Sequence, residues 1–255
     1  MIQVVMSGAL GRMGRAIAEN VKLEENMSIV AGVDKAEGTA EFPLYHDIRD
    51  VAEAADVIID FSNPENLQNI CQYAEEHNIA MVVGTTGISD EERPKLHAAA
   101  QKVPVIASHN VHVGTYVFIN LVKQAAKLLP EFDVEIVERH HNQKIDAPSG
   151  TALMIADAIR EVRNDAEYVY QRADKIQKRA KNEIGIYSVR AGNIIGQHTV
   201  IFAGDDEVIE LNSNITSRKV LSAGAVQCAK FIVEKSPGYY TLFDVVNYLE
   251  NKGDI

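Results

Sequence analysis

The first 110 residues alternate between short β-branched runs and stretches whose apolar residues recur at helical spacing. Ile2–Met6 reads as a buried strand, Gly8–Gly14 as a turn and Arg15–Leu23 as a helix. Ile29–Val33, followed by Asp34, and Val57–Phe61 are the next strands, after which Pro64 opens a helix reaching His77. Ala80–Val83 leads into Gly84-Thr85-Thr86-Gly87, the alanine-rich stretch Asp90–Lys102 is helical, and Val103–Ala107 is a fifth strand. Continuous apolar strands separated by helical segments of roughly 10–15 residues predict βαβ units around a parallel, Rossmann-type sheet covered on both faces.

After Asn110 the pattern changes. Val117–Leu129 is helical and stops at Pro130, Asp133–Glu138 mixes polar and apolar positions at period two, and Ser149–Arg163 is helical again. Ile186–Arg190, His198–Ala203 and Glu207–Asn212 follow as strands with glycines between them, which predicts a mixed or antiparallel sheet in an α+β region. Ser222–Val233 and Leu242–Leu249 are further helices. The expectation is two domains with a boundary near residue 110.

Composition narrows the classes of function. A chain of 255 residues with 46% hydrophobic and 24% charged residues has room for one large or two modest globular domains. Its longest apolar runs, such as Val117–Val122, fall far short of the roughly 20 residues of a membrane span, and Met1–Met6 lacks the basic start of a secretory signal. Cys71 and Cys228 form no disulfide framework or metal-site spacing and read as core thiols. These features predict a cytoplasmic protein. A net charge of −11 argues against nucleic acid as the main partner, while leaving room for a small anionic ligand that responds to local charge.

Gly8-Ala9-Leu10-Gly11-Arg12-Met13-Gly14 stands between the first strand and the first helix, where backbone N–H groups must approach a dinucleotide pyrophosphate without interference from side chains. A glycine turn there also serves plain packing. Asp34, ending the second strand 20 residues past Gly14, is where an acid accepts hydrogen bonds from the adenosine ribose, and the combination predicts a nicotinamide nucleotide. Asp34 favours NADH. Lys35 and Arg12 could offset its repulsion of a 2′-phosphate, so the expectation is NADH preferred with NADPH usable. Gly84-Thr85-Thr86-Gly87 and Ser108-His109-Asn110 follow strands at the carboxyl edge of the sheet, where such folds bind ligands.

The densest chemistry lies in Glu138-Arg139-His140-His141-Asn142-Gln143-Lys144-Ile145-Asp146-Ala147-Pro148-Ser149-Gly150-Thr151-Ala152. Two histidines and a lysine in a loop precede a helix whose free N–H groups can hold a carboxylate. Histidine, with a reference pKa of about 6.5, can donate a proton at neutral pH. Proton donors beside an anion-binding helix start suit reduction of an acidic small molecule. The residues near the His-His pair offer no metal set, so no metal is expected.

These motifs resemble the 4-hydroxy-tetrahydrodipicolinate reductase family: Gly-x-x-Gly-Arg-Met-Gly, Gly-Thr-Thr-Gly and above all His-His-x-x-Lys-x-Asp-Ala-Pro-Ser-Gly-Thr-Ala, with Ser188–Gly192, Ser217-Arg218 and Leu242–Val245 extending the likeness nearly end to end. The resemblance implies His140 as proton donor and acceptor, Lys144 as a second donor, and His141, Gly150 and Thr151 as dicarboxylate ligands. It implies cofactor contacts from Gly8, Ala9, Leu10, Gly11, Arg12, Met13, Asp34, Gly84, Thr85, Thr86, Ser108, His109, Asn110 and Val111. It also implies a dinucleotide-binding domain of residues 1–110 and 219–255, a substrate-binding and oligomerisation domain of 111–218, and a homotetramer. The chain departs from the family in carrying His112 for a serine, Tyr116 in the same stretch, and Ser213 where a histidine usually precedes Ser217-Arg218. Two alternatives stay open: another two-domain amino or imino acid dehydrogenase, and a nucleotide-sensing protein without catalysis. The basic stretch Arg172–Lys181 reads as a solvated face or mobile loop, with a flap or a subunit contact as the functional option, and Tyr239-Tyr240 as packing or a subunit contact.

Overall fold

The computed structural model describes residues 1–252 except His109, Gln171, Asp174, Lys175 and Arg218, with side chains up to residue 249. The described chain divides into two units, Met1–Val113 with Arg218–Ile255, and Gly114–Ser217.

In the first unit the strands β1 (Ile2–Ser7), β2 (Met27–Val33), β3 (Leu44–Tyr45), β4 (Val57–Asp60), β5 (Ala80–Val83), β6 (Pro104–Ala107) and β12 (Gly238–Tyr240) form one parallel sheet in the order β12-β6-β5-β4-β1-β2-β3. The helices are α1 (Arg12–Val21), α2 (Leu67–His77), α3 (Arg93–Ala99), α6 (Lys219–Ile232) and α7 (Leu242–Lys252). On one face Leu67, Ile70, Cys71 and Ala74 of α2 and Leu96 and Ala99 of α3 pack against Val5, Ile58, Met81 and Val105. α6 lies against β4, β5, β6 and α1. A sheet buried on both faces is apolar through its central strands, as Val57–Ile59 of β4 and all of β5 are.

Three features of this unit differ from the sequence expectation. α1 begins at Arg12 rather than Arg15, because Gly14 sits inside its first turn: a Cβ there would collide with the carbonyl oxygens of Gly8 and Ala9. β3 and β12 have two and three residues, too few for a periodicity to show. Tyr239 and Tyr240 belong to β12, with Tyr239 stacked on His97 at 4.3 Å between ring centroids and Tyr240 edge-on to Phe231. Cys71 and Cys228 are buried, and burial pushes both thiols up to about 12, which leaves them inert core groups.

The second unit holds α4 (Val113–Leu128, apart from its first residue), α5 (Gly150–Arg160) and a five-stranded sheet of β7 (Asp133–His140), β8 (Glu167–Val169), β9 (Glu183–Arg190), β10 (Gly196–Ala203) and β11 (Val208–Ile215). The order is β11-β10-β7-β9-β8, with β10 antiparallel to both neighbours and β7, β9 and β8 mutually parallel. Val134, Ile136, Ile184, Ile186, Val200 and Phe202 face Phe118 and Val122 of α4 and Ile155 and Ile159 of α5.

β7 runs two residues further than the sequence pattern suggested, so that His140 ends a strand instead of opening a loop. Pairing with both β9 and β10 extends it, with His140 opposite Arg190 and the Ala191 N–H donating to the His140 carbonyl. The basic stretch is also more firmly held than a solvated face. Arg179 donates to Glu135 and Asp133 and to the backbone carbonyls of Val134, Ala180 and Glu183, while Arg172 pairs with Glu183 and Lys181 with Glu131. Asp174 and Lys175 of that stretch lie outside the described residues.

Candidate active site

In the first unit the turn between β1 and α1 borders a cavity of about 690 Å³, within the usual range for a small-ligand pocket. Gly8 has a φ of 78° and presses on the Phe61 carbonyl, so the turn depends on glycine there. Gly11 caps α1 without a side-chain hydrogen bond, leaving the first N–H groups of the helix for a ligand. Gly8, Leu10, Gly11, Asp34 and Lys35 line the cavity. The Asp34 carboxylate accepts from the Leu10 N–H at 2.9 Å and the Ala36 N–H at 3.0 Å, tying the turn to the end of β2. Each carboxylate oxygen keeps a further acceptor direction, as ribose hydroxyls require. Lys35 is paired with Glu65 at 3.3 Å, both well exposed. Bare glycine backbone, an uncapped helix start and an acid at the strand end fit a nicotinamide dinucleotide.

At the edge of the same sheet the Thr85 hydroxyl is committed within the protein. It donates to Asp60 Oδ2 at 2.6 Å and accepts from the Ser62 N–H, so only Thr86 of the pair is exposed. Asp60 is 1% exposed and also accepts from the Ser62 hydroxyl at 2.6 Å. Burial pushes its carboxyl up, opposed by the hydroxyls of Ser62, Thr85 and Ser7. Ser108 donates to the Asn110 carbonyl and Asn110 accepts from the His112 N–H; His109 lies outside the described residues. Burial lowers His112, favouring its neutral form. Val111 is buried, and its carbonyl fills the space where Gly224 lacks a side chain.

In the second unit the inward face of β7 carries Val134, Ile136, Glu138 and His140 in one phase. Glu138 is 0% exposed. It accepts from Arg190 Nη1 at 2.8 Å and Nη2 at 2.7 Å, from His140 Nδ1 at 2.6 Å and from the Ser149 N–H at 3.2 Å. Burial would raise its carboxyl, but hydrogen bonds from His140, Arg190 and Ser188 hold it well below the usual range. His198, 3% exposed, stands edge-on to His140 at 5.4 Å and shares a hydrogen bond with the Ser149 hydroxyl. Burial, with the neighbouring His140, lowers His198 to about 4.

Ser149 caps α5 by accepting from the Ala152 N–H, and Gly150 and Thr151 form the first turn of the helix. The Lys144 ammonium meets Asp146 at 2.7 Å. His140 ends β7, Lys144 lies in the loop that follows, and Ser149, Gly150 and Thr151 open α5. Glu138 and Arg190 fall inside the stretches quoted from the sequence but were given no role there, and His198 and Asp60 were not singled out. Glu138 carried a signal nonetheless: it falls in the buried phase of β7, where a lone carboxylate has no business without partners. No group of three or more metal-binding side chains is assembled among the described residues, and no helix there is long and apolar enough to cross a membrane.

Comparison with known proteins shows the family. Residues 2–111 match the family described as dihydrodipicolinate reductase, N-terminus, and residues 114–246 the family described as dihydrodipicolinate reductase, C-terminus. The 4-hydroxy-tetrahydrodipicolinate reductase of Caldanaerobacter subterraneus subsp. tengcongensis is 47% identical over 96% of this chain and 98% of its own. That of Clostridium novyi is 40% identical with the same coverage. Among solved structures, a dipicolinate-bound dihydrodipicolinate reductase from Paenisporosarcina sp. TG-14 superposes with a TM-score of 0.75 at 26% identity, covering 96% of this chain and 98% of the other. The chain belongs to the dihydrodipicolinate reductase family, and is a nicotinamide-nucleotide-dependent reductase of diaminopimelate and lysine biosynthesis.

Proposed function

We propose that the protein reduces 4-hydroxy-tetrahydrodipicolinate to tetrahydrodipicolinate, with His140 supplying the proton. The observation that carries this reading is the buried Glu138–His140 hydrogen bond at 2.6 Å, next to the start of α5. The nicotinamide group supplies a hydride when bound. Gly8, Ala9, Leu10, Gly11, Arg12 and Met13 would hold its pyrophosphate, Asp34 its ribose, and backbone groups of Gly84, Thr85, Thr86, Ser108, His109, Asn110 and Val111 the nicotinamide end.

His140 uses Nδ1 to donate to Glu138, so Nε2 is the nitrogen that exchanges protons with substrate. Lys144 is an ammonium beside Asp146, and a substrate carboxylate there would gain a second ionic partner, an effect that strengthens as water is excluded. Gly150 and Thr151 would hold another carboxylate at the N-terminal end of α5, the carboxylate accepting, with His141 beside it. The dipicolinate bound in the Paenisporosarcina neighbour is a planar dicarboxylate, which supports this substrate class. NADH is the preferred cofactor because Asp34 disfavours a 2′-phosphate, and NADPH is usable because Arg12 and Lys35, the latter held only in an exposed pair with Glu65, offset that repulsion. The working assembly is a cytoplasmic homotetramer that uses no metal.

The test supplies the condensation product of pyruvate and aspartate semialdehyde, and follows NADH and NADPH absorbance separately. Rapid oxidation of either, with His140→Gln lowering kcat by about 10²–10⁴-fold at little change in cofactor KM, supports the assignment. Lys144→Ala should lower kcat and raise the substrate KM together. Near-normal turnover in both variants defeats it.

A further inference from the structure

We propose that Glu138 is the positioning residue of proton transfer: fixed by Arg190, it holds the His140 ring in one orientation and one tautomer, with Nε2 turned to the chemistry. The inference rests on the reading of His140 as the proton donor.

The two buried imidazoles of the second unit make the case. They lie 5.4 Å apart, yet only His140 has a carboxylate on its ring. His198 instead touches a serine hydroxyl at the start of α5. Burying a carboxylate costs several kcal/mol unless its oxygens are filled. Here β9 fills them with both Nη atoms of Arg190 and the Ser188 hydroxyl, and α5 with the Ser149 N–H. Arg190 also donates to the Asp146 carbonyl at 2.6 Å, beside the Lys144–Asp146 pair, so its guanidinium is oriented from two sides.

The remaining charged and titratable neighbours are His198 on β10, and Lys144 and Asp146 in the loop after β7. None of them is bonded to the His140 ring. With Nδ1–H committed to Glu138, the other ring nitrogen stands beside Gly196, where an added Cβ would come within 3.3 Å of Nε2. The glycine keeps that side of the ring clear. One carboxylate thereby sets the donor atom, stops the ring from flipping and leaves a positive imidazole a permanent counter-charge.

Kinetics across pH with NADH and the condensation substrate test this, using Glu138→Gln, Glu138→Asp, His140→Gln and the double variant Glu138→Gln/His140→Gln. Expected for Glu138→Gln is a kcat loss of about 10²-fold, an unchanged NADH KM and a displaced ionisation limb of the pH–rate profile. Glu138→Asp should recover part of the rate. The double variant should be no slower than His140→Gln, because both changes remove one device. If Glu138→Gln does not fold, Glu138→Gln/Arg190→Met removes both buried charges and should show the same displaced profile. A kcat loss that leaves the pH profile in place, or losses that multiply in the double variant, overturn the inference alone. Near-normal turnover of His140→Gln overturns the assignment of His140 and this inference with it.

Discussion

Asp60 and Glu138 are both buried carboxylates at the ends of inner strands, 1% and 0% exposed, yet their surroundings push them in opposite directions. Asp60 receives hydroxyls and a backbone N–H only, and burial raises it. Glu138 receives a bidentate guanidinium and an imidazole as well, and is held down. Burial pushes both carboxyls up; the cationic partner beside Glu138 reverses the sign there. Asp60 therefore shapes a loop, joining Ser62 and Thr85, whereas Glu138 is held ionised beside the His140 ring.

The largest test of that difference is to take away the cation. Arg190→Met should leave Glu138 buried with an imidazole, the Ser188 hydroxyl and a single N–H, costing about 3–5 kcal/mol at pH 7 and lowering the melting midpoint by on the order of 10 °C in calorimetry. Glu138→Gln/Arg190→Met should regain much of that loss. If Arg190→Met melts with the wild type, the guanidinium is not what separates the two sites.

The contrast also marks where the sequence was readable. The parallel sheet showed in β-branched runs such as Val57–Phe61 and Ala80–Val83, and the glycine turn with Asp34 marked a cavity that the structure contains, because those signals are local. Three-residue strands such as β8 and β12 give no period to read. His140 and Lys144 stood out as a motif, but Arg190 and His198 reach the same spot from β9 and β10, 50 and 58 residues beyond His140 in sequence. Only the register of the mixed sheet brings them together. Thr85 was read as a cofactor ligand, yet its hydroxyl turns inward because Asp60, 25 residues earlier, needs a donor.

A middling effect is expected at His198, whose folded value of about 4 lies below the ordinary histidine value near 6.5. A depressed base stabilises fully above the unfolded value and loses that contribution as pH falls through the window down to about 4. His198→Asn should flatten the acid loss of stability between pH 6.5 and 4 by about 2–3 kcal/mol, read as melting midpoints across that range. An unchanged slope would place the acid sensitivity of the second unit elsewhere.

Asp60→Asn should have the smallest effect and the most informative direction. A carboxyl raised by burial favours the protonated folded state, so the wild type loses stability as pH rises from the ordinary aspartate value of about 3.9 through the raised one. Glu138, held low, does the reverse: its contribution is complete above an unfolded value of about 4.3 and fades on acidification. The melting difference between Asp60→Asn and wild type should therefore move in the variant's favour from pH 4 to pH 7, while that of Glu138→Gln moves against it. At pH 7 the Asn variant should stay within about 1 kcal/mol of wild type, with the NADH KM raised roughly fivefold by the loss of one well-made hydrogen bond to Thr85. Parallel slopes for the two variants would mean that Asp60, too, has a charge partner in solution, and that the two carboxylates differ in degree rather than in kind.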